Sequence, residues 1–296
     1  MVATPLLLIL SGLLPAPATA LPPGGSGLYG GGAVRDYMHF VSLRVLPGGE
    51  FTAHATLVTK CAPRFADQLT ESISVKDVRL DDAGRYRATT NFSDRVDPGV
   101  PLTGGMLADG TISFSVRVTA GGPARGTVRV RTNYSPNVDG PVVSRCDTGP
   151  IPWIARRPAA DAGRGHSTLQ PGTHRGTTDQ DEPFLMRVTD HGRLVRRAGL
   201  TVRVDCRSAI GLPLDVVAQH MRVRRGSFGA AGGFSRPYTD PNGRRVVERY
   251  RWELRGRFGT RGARGTFELT GVVRRRSDGR RVGSCATGEI AWRASL

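Results

Sequence analysis

Ten residues near the carboxyl end of the chain, GSCATGEIAW at 283–292, restate the ten at 144–153, SRCDTGPIPW. Cys146 and Cys285 lie 139 positions apart, as do Trp153 and Trp292, and ARGT at 124–127 returns at 263–266 with the same offset. Further upstream, ISFSVRV (112–118) aligns with WELRGRF (252–258) at an offset of 140, so a one-residue difference falls in the hairpin turn before ARGT. ATLVTKC, ending at Cys61, and LTVRVDC, ending at Cys206, match more loosely, 145 apart. A chain written twice has to fold twice, and each copy owns one early and one late cysteine.

Four cysteines allow three pairings. The repeat favours the symmetric one, Cys61 to Cys146 and Cys206 to Cys285, which keeps each bridge inside one copy. Loops of that length stabilise by roughly 4 to 5 kcal/mol at best in the chain-entropy account. Metal ligation fits poorly, because no CxxC pair occurs and no nearby histidine completes a zinc spacing. No metal or cofactor is expected.

The chain opens with an apolar run, Leu6 to Leu14, then Pro15, then Ala18-Thr19-Ala20, the small-x-small pattern of a cleaved signal peptide. The expectation is cleavage after Ala20, although no Lys or Arg precedes the apolar run. No later stretch offers the roughly 18 consecutive apolar residues of a spanning helix. Paired cysteines belong in an oxidising compartment. The expected location is therefore secreted or extracellular, with no membrane span.

Between these landmarks the text alternates apolar and polar residues with period two, as in HFVSLRVL, EFTAHATLVT, GTISFSVRV, TVRVRT, RLVRRAGLTVRV, RVVERYRWEL and GTFELTGVV. PGGE, PNGR and SDGR mark tight turns. Only FADQLTESI near Leu69 and PLDVVAQHM near Val216 leave room for a helical turn. The expected organisation is a signal peptide at 1–20, a Gly-rich segment at 21–33, a first domain at 34–157, an aperiodic linker at 158–183 and a second, basic domain at 184–296. The expected fold class is all-β, two tandem disulfide-pinned β-sandwich domains. Immunoglobulin-like and jelly-roll topologies both stay open, although the Trp follows the second cysteine of each copy, unlike the immunoglobulin variable pattern. Trp153 and Trp292, beside a cysteine at alternating positions, read as core residues ahead of sugar-stacking platforms.

An alternating strand, a turn, ARGTF-like text, a hairpin and then CxTGxIxWxA resembles the Arg- and Gly-rich exported β-sandwich domains of high-GC bacteria. The resemblance covers the last third of each copy. It implies export and a sandwich fold, and no particular activity.

Charge separates the two copies. Residues 34–157 hold 16 Lys and Arg against 12 Asp and Glu, 158–183 hold 2 against 4, and 184–296 hold 24 against 9. The excess gathers at Arg222, Arg224, Arg225, Arg244, Arg245, Arg274, Arg275, Arg276, Arg280 and Arg281, several of them flanking turns. Guanidinium groups projecting past sheet ends bind phosphate or carboxylate bidentately, so an anionic cell-wall or surface polymer is the expected partner. Nucleic acid fits less well, because no recognition motif for it occurs. Against this stands a coding bias: only Lys60 and Lys76 are lysines.

Catalytic signatures are missing from the text: no HExxH, GxSxG, P-loop or EF-hand loop occurs. His54 falls in an apolar strand, and His166 and His174 in the linker. Asp81-Asp82 and DQDE at 179–182 read as turn or linker acids. Glu248 and Glu253 share one strand, but their odd separation sends them to opposite faces, so they cannot act as a glycosidase pair there. The expectation is a secreted, non-enzymatic binding or adhesion protein. The competing readings are an extracellular polysaccharide hydrolase and a structural spacer without a specific ligand.

Overall fold

The computed structural model describes residues 25–34, 39–62, 69–96, 106–136, 140–165, 170–189, 192–206, 209–239 and 244–296. The expected signal peptide and His166 lie outside them. The chain divides into two compact units, Met1–Ala155 and Arg156–Leu296. Both are built of strands, and no described residue is helical.

The first unit contains β1 (Gly27–Ala33), β2 (Phe40–Val45), β3 (Glu50–Ala62), β4 (Leu69–Arg79), β5 (Arg85–Val96), β6 (Met106–Arg117), β7 (Ala124–Ser135), β8 (Ser144–Asp147) and β9 (Ile151–Arg156). The second contains β10 (Gly172–Thr178), β11 (Pro183–Val188), β12 (Leu194–Cys206), β13 (Ala209–Arg222), β14 (Ser227–Thr239), β15 (Arg245–Gly259), β16 (Gly262–Arg275) and β17 (Arg281–Ser295). Their sheet orders are the same, β4-β3-β2-β1-β9-β7-β6-β5 and β13-β12-β11-β10-β17-β16-β15-β14. Strands that follow one another in the chain are mostly sheet neighbours, the exceptions including β4–β5 and β13–β14, which end the orders, and the first and last strands of each unit pair. This is an antiparallel meander folded over one core, without the Greek-key crossover that immunoglobulin and jelly-roll sandwiches share.

Period-two alternation builds each core. In β15, Val246, Tyr250, Leu254 and Phe258 point inward, and in β7, Val128 and Val130 do the same. The disulfides are Cys61–Cys146 and Cys206–Cys285, the pairing the repeat favours, and each joins residues directly opposite one another, with Cα atoms 4.0 and 4.1 Å apart. Such bridges fit an oxidising environment.

The repeated motif is where the last strand of a unit changes partner. One edge of β17 pairs with β16 along most of its length, while the other pairs with β12 at Cys285–Ala286 and with β10 at Trp292–Ser295. Thr287 and Gly288 bulge out between these stretches. Gly288 takes φ 65°, and its counterpart Gly149, between β8 and β9, takes 64°, a region that glycine enters without strain. The threonine hydroxyl mends the broken ladder: Thr287 Oγ1 accepts the Leu269 N–H at 2.9 Å, and Thr148 Oγ1 accepts the Val130 N–H at 3.0 Å.

Beyond the bulge the tryptophans turn into the core, each 1% exposed. Trp292 stacks on Phe184 at 4.0 Å and Trp153 on Phe114 at 5.7 Å between ring centroids. Opposite each indole stands the glycine of ARGT, Gly265 or Gly126. A Cβ there would come within 2.6 Å of the indole Cζ2 in both units. The two repeated phrases are thus halves of a single packing unit.

Several segments take a form the sequence left unspecified or suggested otherwise. The linker at 158–183 contains β10 and the Glu182 turn, and the Gly-rich segment at 21–33 contains β1. Both strands replace apolar alternation with small residues, because the neighbouring backbone passes too close for a side chain at Gly31 and Gly176. His174, expected in a flexible linker, is buried in β10 against the Phe258 ring, and burial pushes its imidazole below the usual range. Of the two segments given room for a helical turn, the described part of the first, from Leu69, belongs to β4, and the second lies in β13, where Leu214, Val216 and Ala218 alternate inward against β12.

Candidate functional site

The ten arginines singled out in the sequence form two groups. Arg245 opens β15, Arg274 and Arg275 close β16, and Arg276, Arg280 and Arg281 lie in or beside the turn into β17. Register brings these together: Val246 faces Arg275, Arg274 faces Arg281, and the Arg276 N–H bonds the Arg245 carbonyl at 2.9 Å. Arg244 precedes β15 at the same end. Arg222, Arg224 and Arg225 sit instead at the β13–β14 turn, beside the Ser227–Arg257 pair. Twelve residues of β15 separate the two ends, roughly 40 Å at strand rise.

At the first end, some guanidinium groups build the turn. Arg275 pairs with Asp278 at 3.0 Å, and Arg274 Nη1 donates to the Gly279 carbonyl at 2.9 Å. The Arg280 N–H and the Arg275 guanidinium together hold the Asp278 carboxyl below the usual carboxylate range, the backbone bond leading. Arg245, Arg276, Arg280 and Arg281 are exposed, and no hydrogen bond or ion pair engages their side chains among the described residues. At the other end, Arg193, Arg222 and Arg224 line a shallow depression with Leu194 and Val223.

A second basic surface escaped the sequence reading. The outward residues of β15 include Arg249, Arg251, Arg255 and Arg257, all exposed. Arg257, Arg264 and Arg293 stand in one row across β15, β16 and β17. Two rows further along lie Glu253, Glu268 and Glu289, also directly opposite one another. Arg255 relieves that like-charge row by clasping Glu253 through Nε at 2.7 Å and Nη2 at 3.0 Å. The period-two arginines of RVVERYRWELRGRF carried the signal for this face.

The first unit supplies a built-in comparison. Register makes Asp109, Thr111 and Ser115 of β6 the counterparts of Arg249, Arg251 and Arg255. The turn that carries Arg224 in the second unit carries Asp81 in the first, where the carboxylate accepts the Ala83 and Arg85 N–H groups. Arg129 and Arg131 of β7 converge on Asp147, at 2.6 and 3.4 Å. These partners hold the Asp147 carboxyl at about 2, with the Arg129 bond as the first cause. Arg249 and Arg251 have no such partner among the described residues.

The acidic residues weighed as catalysts are engaged elsewhere. Glu248 is buried and takes the Arg236 Nε at 2.7 Å across β14 and β15, while Glu253 is on the opposite, exposed face, as its spacing required. Asp179 accepts the Ala291 N–H at 3.1 Å. Glu182 is buried and accepts Arg203 Nε at 2.6 Å; burial pushes its carboxyl up despite that partner. Asp215, accepting the Thr201 hydroxyl at 2.7 Å, is pushed up to about 7 by burial, and the charge of Glu182 adds to the shift. No group of three or more His, Cys, Asp or Glu with metal-binding geometry occurs among the described residues, and no described helix is long and apolar enough to cross a membrane.

No family model matches this chain, and no curated protein or solved structure matches it.

Proposed function

We propose that this is a secreted binding protein whose second unit engages an anionic surface polymer through its arginine-bearing ends and outer face. One observation carries the reading. Two copies of one fold present the same positions to solvent, and the second has Arg224, Arg249, Arg251 and Arg255 where the first has Asp81, Asp109, Thr111 and Ser115. A uniform coding preference for arginine would act on both copies, so the difference favours specialisation of the second. Strand geometry then spaces neighbouring outward arginines about 6.8 Å apart, a pitch that suits a polymer with regularly repeated charge. Guanidinium binds phosphate and carboxylate alike, and its charge persists across physiological pH. Binding should therefore depend strongly on salt and weakly on pH.

The test is a titration of the full chain with a purified poly(glycerol phosphate) and with polyglutamate at several salt concentrations. Saturable binding that weakens as salt rises supports the reading. The combined substitution of Arg276, Arg280 and Arg281 by alanine should lower the affinity and flatten the salt slope, because each lost phosphate contact removes about one unit of it. Binding indifferent to salt, or equally reduced by substituting Arg85 and Arg87 of the first unit, would sink it.

A further inference from the structure

Among the described residues, each unit leaves two strands with one unpaired edge, because β4 and β5, like β13 and β14, end their sheet orders. Unpaired edges invite other strands, and soluble proteins blunt them with charge, proline or irregular backbone. All four edges carry such a feature, but one of them keeps a nine-residue stretch without any. β4 carries Lys76 beside a register shift against β3, and β5 exposes Arg85 and Arg87. β13 contains Pro213, which brings no N–H, and breaks its regular backbone at His220, where φ is 55°. The fourth, β14, keeps its charge and its proline, Arg236 and Pro237, to its carboxyl end; the nine residues before them, SFGAAGGFS from Ser227 to Ser235, carry neither, and the strand pairs with β15 in thirteen consecutive positions without a bulge.

The unpaired groups of β14 can be identified. Gly226 accepts the Phe258 N–H, so the even-numbered residues bond to β15. Ser227 turns its N–H and carbonyl the other way, to Arg224. Gly229, Ala231, Gly233 and Ser235 therefore present theirs to the open edge, and all four are exposed. Their side chains are no larger than serine, so a second backbone can approach.

The segment also reads the same in both directions. About Ala231, Gly229 mirrors Gly233, Phe228 mirrors Phe234 and Ser227 mirrors Ser235, with Ala230 against Gly232 as the one inexact pair. An antiparallel pair of identical strands about a twofold axis places each residue opposite its mirror image. We propose that β14 pairs with β14 of a second copy of this chain, antiparallel, with the twofold axis through Ala231. Ala231 then faces itself and Gly229 faces Gly233 of the second copy, in hydrogen-bonded positions that supply about six backbone bonds. Phe228 meets Phe234 of the second copy on the core side of the sheet, an aromatic cross-strand pair. The proposal does not depend on the anionic partner.

Salt separates the two. Each chain carries +17, so self-association tightens as salt rises, whereas polyanion binding weakens. Sedimentation equilibrium of the full chain should show a monomer–dimer equilibrium. Ala231→Lys, which opposes two like charges at the axis, should raise the dimer dissociation constant at least about tenfold, while Ala231→Thr preserves association. Oxidised Ala231→Cys should yield a covalent dimer, since hydrogen-bonded pairs hold Cα atoms about 5.5 Å apart, within disulfide reach. Ser235→Cys should not, because it faces Ser227 of the second copy. Three results would each overturn the proposal: a monomer throughout the accessible concentration range, association unmoved by Ala231→Lys, or equal cross-linking at positions 231 and 235.

Discussion

A glycine facing a tryptophan explains why two phrases far apart in the text recur together. The indoles of Trp153 and Trp292 occupy the space that a Cβ at Gly126 or Gly265 would need, and the same Cβ would press on the carbonyl of Ser115 or Arg255. Gly265→Ala is therefore expected to cost about 1–3 kcal/mol by overpacking and to weaken the near-ultraviolet circular dichroism of Trp292. The sequence showed that glycine and tryptophan repeat at one offset. It could not show that they touch, because opposition across strands depends on register. Asp215 was equally hidden, since an isolated aspartate in text ambiguous between helix and strand gives no sign of burial. Its folded pKa lies above its unfolded one, so the stability it contributes is fully present below about pH 4 and is lost as pH rises toward 7. Asp215→Asn should match the parent at pH 4 and exceed it in stability at pH 8; chemical denaturation at both values checks the sign.

At the scale of strands, alternation was legible wherever one face meets a core and the other meets water, as in β7 and β15. It failed at β1 and β10, whose close-packed backbones demand small residues, and at β4 and β13 it left helix and strand open, a choice that pairing with β3 and β12 decides. The inward turn of Glu248 was only half legible: parity separated it from Glu253, but its partner Arg236 lies on another strand. That pair is mostly shielded, with side chains 4% and 16% exposed. Removing one member strands a buried charge, so Glu248→Leu is expected to cost about 3–5 kcal/mol, whereas Glu248→Leu combined with Arg236→Met should restore most of it. Equal losses in both variants, measured by urea denaturation, would mean that packing and not charge sets the cost.

Across the whole molecule, duplication gave each unit its own core and its own bridge. The charge difference between the copies was legible by counting, but its arrangement was not. Only the fold divides the ten arginines between two ends and adds the outer face of β15. Cys206→Ala with Cys285→Ala is expected to lower the stability of the second unit by up to about 4 kcal/mol, read by calorimetry as a shift in that unit's transition while the first unit's transition stays in place. The bridges also carry a consequence for how the chain matures. Cysteines reach an oxidising compartment in the order 61, 146, 206, 285 when the amino end enters first, and the native partners are consecutive in that order. An oxidant that joins each new thiol to the last unpaired one makes the native pattern directly, so maturation has no step that requires an isomerase to reshuffle bonds.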